Sequence, residues 1–258
     1  MKVVILAGGL GTRLTEETTV RPKPMVEIGG KPILWHIMKI YETYGFNDFV
    51  ICLGYKGHLI KEYFINYFLY NSDITVELNS NKLSVHYTST ESFKVTLIDT
   101  GINTNTAGRI KRIKPYLDDK TFMLTYGDGV SDVDIKELIS FHKAHNKIAT
   151  LTSVQLPGRY GAIQIGNEDS VIHFQEKKDS ENIWVNGGFF VLEPSVFDYL
   201  KGDMDDIQWE KKPLEDITND NQLIAYRHYG FWKSMDALRD KIELENIWEG
   251  GNAPWKIW

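Results

Sequence analysis

The sequence predicts an α/β fold: a mainly parallel mixed sheet flanked by helices, with a smaller antiparallel addition. Three observations carry this. Short, fully apolar strand patterns alternate with helical periodicity through roughly the first 155 of 258 residues. The strand patterns at 3–7 and 122–126 each run into glycines, as strands of an open α/β sheet do at the edge where ligands gather. Beyond residue 155, strand patterns follow one another without long helices between them. With 42% hydrophobic and 25% charged residues the chain can bury a substantial core. One domain over 1–258 is expected, divided into about 1–155, about 156–235 and a helix and tail at about 236–258.

Taken in order, Val3 to Ala7 is β-branched and ends on Gly8 and Gly9, so it reads as a buried strand. A polar, proline-punctuated loop follows. From Lys31 the period becomes helical: Pro32 suits a first helical position, and Ile33, Leu34, Ile37, Met38 and Tyr41 share one face. Phe49 to Leu53 reads as a second strand. Leu59 to Leu69 reads as a helix whose stripe of Tyr63, Phe64, Tyr67 and Phe68 points to core. Short strands are expected over 74–98, part of a helix over Ile110 to Leu117, and a buried strand at Phe122 to Tyr126. A helix from about Asp134 to His145 and a strand at 148–154 continue the alternation. Strands at about 161–166, 171–175 and 184–192 make the antiparallel addition, and a helix runs from Asp236 to about Trp248. The tail, rich in tryptophan, is too apolar to stand free in water, and suits either docking on its own chain or an interface.

Composition excludes several classes. No apolar run approaches the ~20 residues of a membrane span, and no signal-peptide core precedes Gly8, so a cytoplasmic location is expected. Cys52 is the only cysteine and lies within an apolar run, which rules out an internal disulfide and reads as a core thiol. A net charge of -6 argues against nucleic acid or an anionic membrane as partner. Residues 1–31 nonetheless carry a net +2, a basic island suited to a small anion.

The chemistry concentrates in that island. In Leu6-Ala7-Gly8-Gly9-Leu10-Gly11-Thr12-Arg13-Leu14, glycines let backbone N–H groups approach an anion and Arg13 adds a charged fork. The third glycine of a dinucleotide fingerprint is missing, and no Gly-Lys-Ser/Thr closes a P-loop. Prolines flank Lys23; Pro24 is expected to hold it in extended backbone, projecting its ammonium from a stiff mount. Asp128, between two glycines at a strand end, offers a hard oxygen ligand of the kind Mg2+ takes, while Asp236 at a helix start reads first as an N-cap. Asp132 and Asp134 form a DxD pair, better explained by Asp134 with Glu137 as a capping arrangement. His142 and His145 read as a solvated helix face. Glu176 and Lys177 end a strand and offer a carboxylate and an ammonium.

LAGGLGTRL followed by PKPMVEIGGKP, with TLIDTG, TYGDGVSDVDI, NGGFFVLEPSV and GFWKSMDALRDKIELENIW, resembles the sugar-1-phosphate nucleotidyltransferases over nearly the whole chain. GTRLTEET, with Glu16 where the wider family often has proline, resembles the cytidylyl branch. The resemblance implies a Rossmann-like sheet of the nucleotide-diphospho-sugar transferase type. It also implies transfer of a cytidylyl group from CTP to α-D-glucose 1-phosphate with Mg2+, giving the CDP-sugar from which deoxysugars of bacterial surface polysaccharide are made. It assigns the nucleotide to residues 6–13, Lys23, Thr104, Arg109 and Asp128, and the sugar phosphate to Gly161, Glu176, Lys177, Val185, Asn186 and Gly187. Arg13, Lys23 and Asp128 are the implied catalytic residues, Asp128 and Asp236 the metal ligands, and a homo-oligomer, generally a hexamer, the assembly. Without the resemblance, Thr104 reads as helix-start polarity and Arg109 as an exposed charge. Lys178, where relatives commonly have proline, leaves the sugar loop geometry open. Alternatives are a thymidylyl-, uridylyl- or guanylyltransferase, a silent nucleotide-sensing homologue, and a DxD glycosyltransferase.

Overall fold

A computed structural model describes residues 1–88, 90–156, 162–165, 171–175 and 183–258, the side chains of 88, 156, 162–165 and 171–175 excepted. Gly161, Glu176, Lys177 and Lys178 lie outside the described residues.

Along the chain, β1 (Val3–Ala7) leads through a loop with a single helical turn, α1 (Thr15–Thr18), to the paired segments β2 (Glu27–Ile28) and β3 (Lys31–Pro32). Then come α2 (Ile33–Thr43), β4 (Asp48–Leu53), α3 (Gly57–Tyr70), the hairpin β5 (Ser72–Glu77) and β6 (Lys82–Thr88), and β7 (Lys94–Asp99). The next elements are α4 (Thr106–Arg112), β8 (Phe122–Tyr126), β9 (Gly129–Ser131), α5 (Ile135–His145) and β10 (Ala149–Leu156). The rest of the chain supplies β11 (Ala162–Ile165), β12 (Val171–Gln175), β13 (Ile183–Leu192), α6 (Lys212–Asn219), β14 (Leu223–His228), β15 (Trp232–Ser234) and α7 (Leu238–Glu249).

The main sheet has seven strands in the order β14-β10-β13-β8-β1-β4-β7. β1 is parallel to both β4 and β8, so the chain leaves its centre in both directions and a crevice opens there, beyond the strands' carboxyl ends. Val3, Ile5 and Ala7 face a core built with α2, α5, α7 and the tail, while Val4 and Leu6 face a second core built with α4 and α6. This two-sided burial explains why β1 is apolar at every position.

Several expectations need correction. β13 does not belong to a separate antiparallel unit: it lies antiparallel between β8 and β10 inside the main sheet, leaving β11 and β12 as the small addition. α6 and β14 are elements the patterning did not predict, β14 running parallel to β10. The α3 stripe is half-buried, with Phe68 47% exposed, so it covers the core's margin. His142 and His145 are not a solvated face. His142 is buried, bonded to Thr150 (2.8 Å) and Glu193 (3.1 Å), and His145 reaches the same Thr150 hydroxyl (2.8 Å). The tail docks on its own chain: Trp255 is buried, stacked between Phe231 and Trp248, and donates to Nδ1 of His36 on α2.

Candidate active site

A cavity of about 530 Å³ opens at the carboxyl ends of β1 and β8. Its floor is the loop after β1. Gly11 has φ +65, a conformation that favours glycine, and Thr18 Oγ1 fastens the turn by donating to the carbonyls of Gly11 (3.1 Å) and Leu14 (2.9 Å). Buried Leu14 anchors the far side of the loop in the core, leaving Thr12 and Arg13 facing outward.

Lys23 stands in a one-turn 3-10 helix, Lys23–Met25, rather than in extended backbone. The hydrogen bond from Met25 N to Pro22 O (2.8 Å) closes this turn and outweighs the extended preference that Pro24 imposes on its predecessor. The mount is stiff by a different route, and the ammonium is buried. Lys23 Nζ donates to Asp128 Oδ2 (2.6 Å) and to Asp236 Oδ1 (2.8 Å), and Arg13 donates to the same Asp236 oxygen (2.8 Å).

The two aspartates meet although they are far apart in sequence, because their strands pair. β9 follows Asp128, β15 precedes Asp236, Gly129 lies opposite Ser234, and Met235 N donates to Asp128 O (2.8 Å). Ser234 Oγ donates to Asp236 Oδ2 (3.0 Å) and fixes the carboxylate plane. Asp236 is not the N-cap expected of it. Asp240, within α7, accepts from the backbone N–H groups of Asp236 (3.1 Å) and Ala237 (2.9 Å), which leaves the Asp236 side chain to the cavity. Burial alone raises the Asp236 carboxyl, but the hydrogen bond and charge of Lys23, helped by Arg13, hold it below its ordinary range. Burial lowers the Lys23 ammonium, and Asp128 and Asp236 more than reverse this, so it titrates above its usual range.

Arg109 is the largest departure from a reading of local sequence. It is 3% exposed, beneath the β1 loop, donating to the carbonyls of Leu53 (2.9 Å), Gly101 (2.9 Å) and Gly8 (2.9 Å) and to Thr100 Oγ1 (2.8 Å). A Cβ on Gly8 would come within 2.1 Å of this guanidinium, so only glycine lets the loop close over it. Thr104, also buried, lines the same wall.

The cavity thus gathers Leu6 to Gly9, Gly11 to Arg13, Lys23, Thr104, Arg109, Asp128, Asn186, Gly187 and Asp236. Leu10, 51% exposed, and Val185 are not part of its lining. Tyr126, Thr106, Glu210, Trp232 and Ser234 line it without having been singled out. Tyr126 lies in TYGDGVSDVDI, and Trp232 and Ser234 in GFWKSMD; Thr106 and Glu210 carry no such signal. Asp134 caps α5 by accepting from Glu137 N (2.9 Å), and Asp132 accepts from His228 (2.9 Å), so the DxD carboxylates are both engaged outside the cavity lining.

A crevice at the switch point of a parallel sheet, floored by a glycine-rich loop and walled by a lysine between two aspartates, defines an enzyme that handles phosphorylated substrates. Residues 2–247 match the nucleotidyl transferase family, and the chain belongs to it. It is 57% identical to the glucose-1-phosphate cytidylyltransferase of Salmonella typhimurium over 259 aligned positions, covering 100% of both chains. It is 44% identical, again over 100% of both, to the probable glucose-1-phosphate cytidylyltransferase of Bacillus subtilis. Among solved structures, HddC from Yersinia pseudotuberculosis aligns with TM-score 0.69 at 25% identity, covering 96% of this chain and 99% of that one.

Proposed function

We propose that this nucleotidyltransferase transfers the cytidylyl group of CTP to α-D-glucose 1-phosphate, releasing pyrophosphate and CDP-glucose. The observation that carries the chemistry is the convergence of Arg13, Lys23, Asp128 and Asp236 at the cavity wall. The full-length similarity to cytidylyltransferases supports the choice of base and sugar.

A sugar phosphate oxygen attacks the nucleotide α-phosphorus in line. With a second pKa near ~6 the phosphate is already largely dianionic at neutral pH, so no general base is required and positioning with charge neutralisation dominates. The donors of Arg13 and Lys23 now rest on carboxylates and can turn to triphosphate oxygens, while Gly8, Gly9, Gly11, Thr12 and Arg13 of the loop bring their backbone to the phosphate path. Asn186 and Gly187 line the sugar end, where Gly161, Glu176, Lys177 and Val185 are proposed to complete the sugar phosphate site.

Asp128 and Asp236 suit Mg2+: both are hard oxygen donors, they already converge on one cationic nitrogen, and one or two carboxylates plus substrate phosphates is a common Mg2+ ligand set. Held there, the ion supplies charge neutralisation on the triphosphate. Among the described residues no group of three or more His, Cys, Asp or Glu side chains could hold a metal, which leaves the remaining ligands to phosphate and water.

Support for a homo-oligomer, proposed to be a hexamer, comes from the β5–β6 hairpin rather than the tail. Ile74 pairs with Val85 and Val76 with Leu83, giving one apolar face on which all four side chains are 40–49% exposed. A cytoplasmic location is consistent with the absence, among the described residues, of any helix long and apolar enough to cross a membrane.

Pyrophosphate release from a panel of nucleoside triphosphates with glucose 1-phosphate tests the reaction. CTP is expected to give the highest kcat/KM with CDP-glucose as product, and faster turnover of UTP, dTTP or GTP overturns the assignment. Asp128→Asn is expected to raise the Mg2+ concentration for half-maximal activity by about tenfold or more while leaving the melting temperature nearly unchanged; an unaltered Mg2+ titration removes Asp128 from the metal site.

A further inference from the structure

Glu210 stands apart from the other acidic side chains of the cavity. Asp128 and Asp236 are ion-paired, whereas the Glu210 carboxylate meets neutral donors: Tyr126 OH on Oε1 (2.7 Å) and Thr106 Oγ1 on Oε2 (2.8 Å). It is held firmly. The preceding residue, Trp209, is wholly buried, and its backbone N–H donates to the same Thr106 hydroxyl (2.7 Å). On the other side Asn186 Nδ2 donates to Tyr126 OH (3.2 Å), and Asn186 is itself oriented by Gly188 N on its Oδ1 (2.8 Å). Burial, and then the Glu210 charge, push the Tyr126 phenol well above its ordinary range, so it remains a donor to Glu210.

This ladder joins α4 to the end of β8 and to β13, and holds the carboxylate in the cavity lining with Thr106, Tyr126 and Asn186. Each oxygen accepts one protein hydrogen bond, and a carboxylate has about four acceptor sites, so each keeps a free direction. A fixed negative charge repels phosphate, and in a cavity that must admit two phosphorylated substrates its partners are neutral donors. A carboxylate with two free acceptor directions matches a pair of neighbouring ring hydroxyls.

Resting on the nucleotidyl transfer assigned above, we propose that Glu210 is a specificity-determining residue that accepts hydrogen bonds from vicinal hydroxyls of a substrate sugar ring, either the ribose of the nucleotide or the hexose of the sugar phosphate. Tyr126 and Thr106 act as positioning residues for it.

The test measures kcat/KM for wild type, Glu210→Gln and Glu210→Ala with CTP and its 2′- and 3′-deoxy analogues, and with glucose 1-phosphate and its monodeoxy analogues. Wild type is expected to lose about 10- to 100-fold on the analogue lacking the bonded hydroxyl, as for a hydrogen bond to a charged group. In Glu210→Ala that penalty is expected to shrink to less than about threefold, because the variant turns over the parent substrate about 10- to 100-fold more slowly than wild type does. Collapse of the penalty in the CTP series assigns the ribose, and in the sugar phosphate series the hexose. Equal penalties in wild type and variants across every analogue overturn the proposal, because a merely structural role slows all substrates alike. So does a changed CTP to UTP ratio with unchanged deoxy penalties, which moves Glu210 to the base. Should Glu210→Ala not fold, Glu210→Gln preserves the side chain's shape and carries the same comparison. Should wild type not use CTP, the reaction assignment falls by itself, and the ratios are taken with the triphosphate that turns over.

Discussion

Two cationic regions border the cavity, and they hold their charges in opposite ways. Arg109 is surrounded by backbone carbonyls and a threonine hydroxyl, partners fixed by the sheet and the loops above it. Lys23 and Arg13 are held by carboxylate side chains at the cavity wall. A guanidinium whose donors are engaged by the backbone is part of the scaffold. A cation paired with a side chain can exchange that partner for an incoming anion without breaking the fold. Local sequence does not separate these cases, since both are basic residues near glycines.

The sharpest way to break the comparison is Lys23→Ala. We expect kcat/KM to fall about 10²- to 10³-fold, about 3 to 4 kcal/mol of transition-state stabilisation, with circular dichroism unchanged. A tenfold or smaller loss would place Lys23 with the scaffold. The converse is Arg109→Met, which takes the buried donor from the Gly101 carbonyl and one of two from the Gly8 carbonyl, which keeps the Tyr55 N–H (3.1 Å). Denaturant unfolding is expected to report a loss of about 3 kcal/mol, and an unchanged stability would remove the distinction.

Acid separates the cavity from the tail. His36, buried beneath Trp255 and donating from Nε2 to Ile28 O (2.8 Å), has its pKa pushed down by burial from 6.5 to about 4. Because the unfolded chain takes up this proton first, the histidine's contribution to stability is present above 6.5 and is lost as the pH falls toward 4. About 2 kcal/mol should disappear over that interval, and His36→Gln should flatten the slope. Asp236, held below 3.8, contributes above that value and loses its contribution only as the pH falls through its folded value. The cleft ion pair therefore outlasts the tail contact. A stability curve flat between 6.5 and 4 would contradict this order.

Those features of the fold that depend on neighbouring residues were legible in the sequence. The apolar runs of β1, β4 and β8, the face of α2 and the Asp134 cap all emerge from short-range pattern. Partners brought together by distant pairing did not. Whether Asp236 caps α7 or faces the cavity depends on β15 meeting β9 and on Asp240 taking over the cap. His142 looks solvated until Glu193, fifty-one positions on, is placed beside it. For Lys23, a local rule met a stronger one: the preference before proline yielded to a closed turn. In the candidate site, the glycine loop, Lys23 and Asp128 stood out as motifs, whereas Glu210 had no local mark because Tyr126 and Thr106 give it meaning only in three dimensions.

The placement of β13 between β8 and β10 bears on how such a chain can be divided. A fragment ending at β10 would expose the backbone edge of β8 beside the cavity, inviting mispairing and aggregation. Split reporters and domain swaps between relatives should therefore keep β8, β10 and β13 in one polypeptide, treating them as a single inheritable block.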